Sequence, residues 1–191
     1  NLRQEPCIYI HGRPFSVKER ATPFKAMENR GVQAADTEAA EVLLKAEVLA
    51  EARACGGRLL CLDESVPTES GLCAAGELVN YWEEGVTAST VLTPREVFER
   101  ARLQAGAQLV YHRVPITDEQ APQERDFDLV VRHMRAAHAA DPRSVYCFNC
   151  ALGRGRTTTG LAIASLIWRS IATDEQRVTW DMEGVRVLGG A

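Results

Sequence analysis

The feature that most limits the fold is an apolar run, a glycine-bearing loop and a second apolar run over residues 144–168. The first run, 144–148, is short and rich in β-branched and aromatic side chains, which is typical of a buried strand. The second run, 161–168, is long enough for a helix and follows a cluster of threonines suited to a helix start. Cys150 therefore lies where a strand is predicted to pass into a helix, and Arg156 follows it after five intervening residues.

That spacing has a chemical use. A loop at a helix N-terminus presents several backbone N–H groups to one space, and the helix dipole adds positive potential there. A cysteine at the base of such a nest ionises readily, and the thiolate is the nucleophile. Arg156 can form a two-bond fork to phosphoryl oxygens, and Thr157 can hydrogen-bond the sulfur. The pattern predicts the Cys-x5-Arg-Thr loop of cysteine-dependent phosphatases. The other expected phosphate-binding positions are Ala151, Leu152, Gly153, Arg154 and Gly155.

Three segments resemble a known family. The order Asn-Cys-x-x-Gly-Arg-Gly-Arg-Thr-Thr-Thr-Gly over 149–160 is similar to the loop of the paladin and protein-tyrosine-phosphatase-like phytase family. The opening Asn-Leu-Arg-x-Glu, 1–5, resembles the start of the repeats in that family, and Arg-Val-Pro-Ile-Thr-Asp, 113–118, resembles the segment that carries its general acid. The matches are spread over most of the chain. The resemblance implies a cysteine-phosphatase-like domain that removes phosphate from a highly anionic substrate.

Strands alternating with helices predict an α/β domain with a mainly parallel sheet, flanked by helices on both faces. The Cys150 loop would lie at the carboxyl ends of the strands. We expect one domain over 1–191, excised from a larger or repeated protein. Strands are predicted at 7–10, 13–15, 58–63, 77–82, 109–114 and 144–148. Helices are predicted at 37–55, 94–105, 124–140 and after the loop, with a helical turn over 24–31, a polar loop over 65–76 and a docked tail from 173. We expect the glutamates of the 37–55 helix to face solvent.

Composition narrows the function classes. The net charge of −4 argues against a nucleic-acid partner, and no apolar run is long enough to span a membrane, although peripheral contact with a membrane stays open. The six cysteines lack the density of a disulfide scaffold, so we expect a reducing, cytoplasmic setting. Cys147 and Cys150 form a C-x-x-C pair, which leaves a redox protein as a further hypothesis. A zinc site is disfavoured because no second pair of ligands follows, and no metal or cofactor is expected.

The general acid is predicted to be Asp118, because it follows a predicted strand and precedes a polar loop. An Asx-type turn residue is the alternative interpretation of Asp118, and Asp126 and Asp128 are the reserve candidates. The two reserve residues fall in the first turn of a predicted helix, where acidic residues favour the dipole. Arg3 is predicted to be a surface charge, with a phosphate contact as the alternative.

Two features of the loop bear on activity. Asn149 precedes the nucleophile where most such enzymes carry His, and Arg154 adds a cation that resembles the basic loop residue of inositide phosphatases. We therefore expect a phosphatase for inositol phosphates or phosphoinositides, in which Cys150 is the nucleophile, Arg156 stabilises the transition state and Asp118 is the acid. A catalytically silent phosphate-binding module and a phosphotyrosine phosphatase are the alternatives. The sequence leaves the oligomeric state open.

Overall fold

The computed structural model describes residues 1–19, 22, 30–63, 78–105 and 109–175. Its strands are β1 (Cys7–Ile10), β2 (Arg13–Ser16), β3 (Leu59–Asp63), β4 (Val79–Glu83) and β5 (Val91–Leu92). Its helices are α1 (Ala34–Ala54), α2 (Pro94–Ala105), α3 (Glu124–Ala140) and α4 (Gly155–Glu175). The predicted loop over 65–76, most of the turn over 24–31 and the tail beyond 175 lie outside the described residues. The α/β class is confirmed.

Both described sheets are antiparallel. β1 and β2 form a hairpin closed by His11 and Gly12, whose φ angles of 50° and 81° are both positive. Two positive φ angles match the right-handed twist of adjoining antiparallel strands. β5 pairs with the other edge of β1, giving the order β2-β1-β5, and β3 pairs with β4 in a separate two-stranded sheet.

A mainly parallel sheet flanked by helices is therefore not shown. Residues 109–114 and 144–148, predicted as strands, contain no regular strand. The described parallel pairing is the single bridge between Arg3 and Ile116. The physical reason is that the opening segment joins its neighbours by separate hydrogen bonds, without a continuous ladder: Leu2 N–H donates to Asn149 O at 2.8 Å, and Ile116 N–H donates to Leu2 O at 3.3 Å.

Two apolar clusters hold these elements. The first is built mainly from α3, α4, the opening segment and residues 114–116. Its buried members are Leu2, Val114, Ile116, Val130, Met134, Ile163, Ala164, Ile167 and Ile171. The second lies between α1 and the strands and consists of Ile8, Ile10, Ala52, Leu59, Cys61, Val86 and Val91. The first cluster holds the opening segment, the residues before Asp118 and helix α4 against one another.

The helix ends follow local sequence signals. In α2, Thr93 caps the helix, its Oγ1 accepts from the Glu96 N–H at 3.3 Å, and Pro94 takes the first helical position as predicted. α3 has the predicted bounds, and the Asp126 carboxylate accepts from the Gln123 N–H at 2.9 Å. Among the residues that the structure describes, no helix is long and apolar enough to cross a membrane.

Candidate active site

One glycine in the loop before α4 and one within the helix shape this region. α4 begins at Gly155, so Arg156 and Thr157 belong to its first turn. Gly153 has φ +70°, a left-handed conformation that is strained for other residues. A Cβ at Gly160 would lie 2.6 Å from Leu2 Cδ1 and 2.8 Å from a ring carbon of Phe148. A side chain at 160 would push α4 away, so this glycine lets the helix pack directly on the segments that carry the site.

Cys150 is half-buried at the base of this loop. The Thr157 hydroxyl donates a hydrogen bond to Cys150 Sγ at 3.1 Å. Burial alone would raise the pKa of the Cys150 thiol, but hydrogen bonds from the Thr157 side chain and from the backbone N–H groups of Thr157, Gly153 and Leu152 bring it below its ordinary value. The loop thus stabilises the thiolate through one side-chain hydroxyl and several backbone N–H groups.

The guanidinium of Arg156 is buried and held by Glu5. Its Nη1 donates to Glu5 Oε2 at 2.6 Å and its Nη2 to Glu5 Oε1 at 2.9 Å. Nη1 also donates to the backbone oxygen of Ile116 at 3.2 Å. Burial opposes the charge, but the hydrogen bonds and charge of Glu5, together with Asp118 and Cys150, raise the pKa of Arg156. Arg156 therefore remains a cation.

Asp118 lies on the remaining side of Arg156. Its Oδ1 is 3.1 Å from Arg156 Nε, which is an ion-pair distance. Among the described residues, this contact is not a hydrogen bond and the buried Nε–H has no hydrogen-bond partner. Asp126, by contrast, is buried at the N-terminus of α3, and Asp128 is exposed on that helix. Of the three predicted acids, Asp118 is the one that the structure brings to Arg156.

A second arginine completes the support of Glu5. Arg3 Nε donates to Glu5 Oε1 at 3.1 Å, and Arg3 Nη2 donates to the Ser16 hydroxyl. With only 8% of its surface exposed, Arg3 is not the surface charge that the sequence predicted. Its charge is paired internally, and it fixes the carboxylate that in turn fixes Arg156.

The network continues into α1 through Arg113. Arg113 Nη1 donates to the backbone oxygen of Arg3 at 2.9 Å, and Nη2 donates to Glu41 Oε1 at 2.6 Å. Glu41 also accepts from the Cys7 N–H at 3.2 Å. The prediction that the glutamates of this helix face solvent is wrong for Glu41, because the buried Arg113 provides it with a partner. The sequence analysis missed the roles of Glu5 and Glu41 and the pairing of Arg113. The signal in the sequence was that these charged residues adjoin apolar segments, where a charge needs a partner once it is buried.

The outer face of the loop is open. Ala151, Arg154 and Gly155 are exposed, and Leu152 is 82% exposed. Cys147 is exposed, whereas its neighbours Tyr146 and Phe148 pack against the first cluster. The described ranges contain no group of His, Cys, Asp and Glu side chains that could hold a metal ion.

The described geometry is a thiol among backbone N–H donors beside a buried arginine, and comparison with known proteins identifies the family. The family model of PTP-like phytases, described by the words "inositol hexakisphosphate", matches residues 1–168, and the chain belongs to that family.

The similar curated proteins are paladins. The chain is 46% identical to paladin of Homo sapiens over 77 residues, which are 40% of this chain and 9% of that protein. It is 28% identical to paladin of Danio rerio over 169 residues, which are 88% of this chain and 17% of that protein. The chain thus spans less than a fifth of the length of these relatives. No solved structure gave a significant match.

Proposed function

We propose that this domain is a cysteine-dependent phosphomonoesterase that acts on inositol phosphates or phosphoinositides. The observation that carries the proposal is Cys150, whose thiol pKa is lowered by hydrogen bonds from Thr157 and the loop backbone. A thiolate in an anion-binding nest, beside a charged and immobile Arg156, has the parts needed to attack phosphorus.

The proposed reaction has two steps. Cys150 Sγ attacks phosphorus, the bond from phosphorus to the leaving oxygen breaks, and Asp118 donates a proton to that oxygen. Backbone N–H groups of the loop and Arg156 stabilise the charge on the transferring group. In the second step the Asp118 carboxylate accepts a proton from water as the water oxygen attacks phosphorus. The sulfur–phosphorus bond breaks, phosphate leaves and the thiolate is restored.

Two features support the substrate class. The family description names inositol hexakisphosphate, and the exposed Arg154 places a further cation on the outer face of the loop. A substrate with several phosphates can meet Arg154 while one phosphate occupies the nest. A phosphoinositide would bring the domain into peripheral contact with a membrane. A reducing, cytoplasmic setting would keep Cys150 as a free thiol.

A silent phosphate-binding module is the second candidate. Asn149 at the position before the nucleophile favours it, and so does the contact of Asp118 with Arg156, because an acid held by that arginine is not directed at a leaving group. Such a module would use the same loop to hold a phosphorylated partner without hydrolysing it.

Phosphate release from a panel of inositol phosphates, phosphoinositides and phosphotyrosine peptides tests the proposal. We expect turnover by the native domain, none by Cys150→Ser, and near-native turnover by Cys147→Ser, because Cys147 is exposed and precedes the loop. The preferred substrate separates inositides from phosphotyrosine. Absence of turnover with anion binding retained, and lost in Arg156→Ala, would favour the silent module. Equal loss of turnover in Cys147→Ser would show that phosphate release needs both cysteines, against the assignment of Cys150 alone.

A further inference from the structure

We propose that Asp118 occupies the edge of Arg156 that a phosphoryl group needs. A phosphate that binds Arg156 there would therefore displace the Asp118 carboxylate from it. The catalytic meaning of this exchange depends on the proposed function. The competition between carboxylate and phosphate for Arg156 does not, because it requires only that the site bind an anion.

The inference starts from the donors of Arg156. A guanidinium has five N–H donors in a fixed plane. Those of Nη1 meet Glu5 Oε2 and Ile116 O, and one of Nη2 meets Glu5 Oε1. The two that remain are Nε–H and the second N–H of Nη2. These point in parallel from one edge of the plane, which is the fork that binds two oxygens of a phosphate or carboxylate.

Asp118 faces this fork but does not satisfy it. Its Oδ1 lies 3.1 Å from Nε, yet the buried Nε–H lacks a hydrogen-bond partner in the part of the chain that the structure describes. Leaving a buried donor without a partner is unfavourable, because the group has given up its hydrogen bond to water. An oxygen in line with the fork would remove that cost, so a well-placed phosphoryl group can compete with Asp118.

The two carboxylates around Arg156 differ in how firmly they are held. The Glu5 side chain is 7% exposed and is also bonded by Arg3, whereas the Asp118 side chain is 36% exposed. Glu119, which follows Asp118, has φ +55°, so the backbone turns sharply at the exposed side of the contact. Glu5 is therefore the fixed support of Arg156, and Asp118 is the side chain that can leave.

The exchange gives Asp118 its chemistry. While Asp118 faces Arg156, its carboxyl group is directed at the guanidinium and not at a leaving group. Once a phosphate takes the fork, the carboxyl group is released beside the bound phosphate, where a general acid is needed.

Binding of inorganic phosphate, measured by isothermal titration calorimetry at fixed ionic strength, tests the inference in the native domain, Asp118→Asn and Glu119→Gln. Glu119→Gln is the control, because it removes one negative charge from the same exposed turn but not from the contact with Arg156. We expect Asp118→Asn to bind phosphate about threefold to tenfold more tightly than the native domain, and Glu119→Gln to change binding by less than about twofold. Matching urea-unfolding midpoints would establish that the variants are folded.

Several results would overturn it: equal gains in the two variants, unchanged or weaker binding in Asp118→Asn, or no phosphate binding in any variant. Turnover measured on the same samples separates this inference from the proposed function. Tighter phosphate binding by Asp118→Asn without native turnover supports the competition and rejects the enzyme. Native turnover without tighter binding in that variant supports the enzyme and rejects the competition.

Discussion

Replacement of Glu5 by Gln should destabilise this domain strongly, although Glu5 lies in a short opening segment. The carboxylate is 7% exposed and accepts hydrogen bonds of 2.6 and 2.9 Å from Arg156 and 3.1 Å from Arg3. Glutamine keeps one acceptor oxygen for these donors and turns an NH₂ group towards the others. The substitution therefore leaves part of a buried cation without a partner.

The magnitude follows from the number of bonds lost. A hydrogen bond to a charged group contributes about 1.5–3 kcal/mol, and breaking a buried ion pair costs about 3–5 kcal/mol. Because Gln retains one acceptor, we expect the free energy of unfolding at pH 7 to fall by about 3 kcal/mol. Single domains have only about 5–15 kcal/mol in total, so this is a large fraction.

The effect should depend on pH with a defined sign. Burial would raise the pKa of Glu5, but the hydrogen bond and charge of Arg156, with Arg3, lower it from its ordinary value of 4.5. A lowered folded pKa means that the stabilisation is present above pH 4.5 and is lost as pH falls through the folded pKa. The difference between the native domain and Glu5→Gln should therefore be full at pH 7 and shrink in acid.

Urea unfolding followed by circular dichroism at pH 7 and in acid measures this difference. The matched control is Glu38→Gln, because Glu38 also binds one arginine, Arg95, through bonds of 2.7 and 2.9 Å, but with the arginine 49% exposed. We expect the control to cost less than about 1 kcal/mol. A Glu5→Gln effect no larger than that of the control, or one that persists in acid, would refute the reasoning.

Two further predictions concern the start of α4. Gly160→Ala should lower the melting temperature, because the added methyl group would lie 2.6 Å from Leu2 and 2.8 Å from Phe148. Overpacking of this kind costs about 1–3 kcal/mol, which outweighs the gain of about 1 kcal/mol in helix propensity. A higher melting temperature would contradict this packing. Thr157→Val removes the hydroxyl that donates to Cys150 Sγ at 3.1 Å, so the pKa of the Cys150 thiol should rise. Alkylation of Cys150 by iodoacetamide at pH 6 should therefore slow, whereas Thr157→Ser, which keeps the hydroxyl, should react at the native rate. Equal rates in Thr157→Val and the native domain would remove this hydroxyl from the account of the thiolate.

The helices were predictable because their signals are local. Thr93 and Pro94 mark the start of α2 in adjacent residues, and the bounds of α3 agree with the sequence pattern. The sheet was not predictable in this way. Whether a run such as 144–148 joins a ladder depends on which distant segment lies beside it, and here the opening residues take that place by single hydrogen bonds.

The site residues likewise include some that local sequence predicts and others that depend on distant contacts. Cys150, Thr157 and Arg156 fall within one loop and helix turn, so spacing alone places them together. Glu5 is separated from Arg156 by 151 positions, and Glu41 from Arg113 by 72, so nothing local indicates that these charges pair. Long-range ion pairs of this kind determine which edge of Arg156 remains open. The open edge could therefore not be predicted from the sequence.

Trapping of the covalent intermediate tests the central claim most directly. Asp118→Asn, incubated with para-nitrophenyl phosphate, whose leaving group needs no general acid, and quenched in acid, should carry one phosphoryl group on the peptide that contains Cys150, as read by mass spectrometry. The same peptide from Cys150→Ser should carry none. Substrate turnover by the native domain without a phosphoryl group at Cys150, or with the group on another residue, would contradict the assignment of Cys150 as the nucleophile.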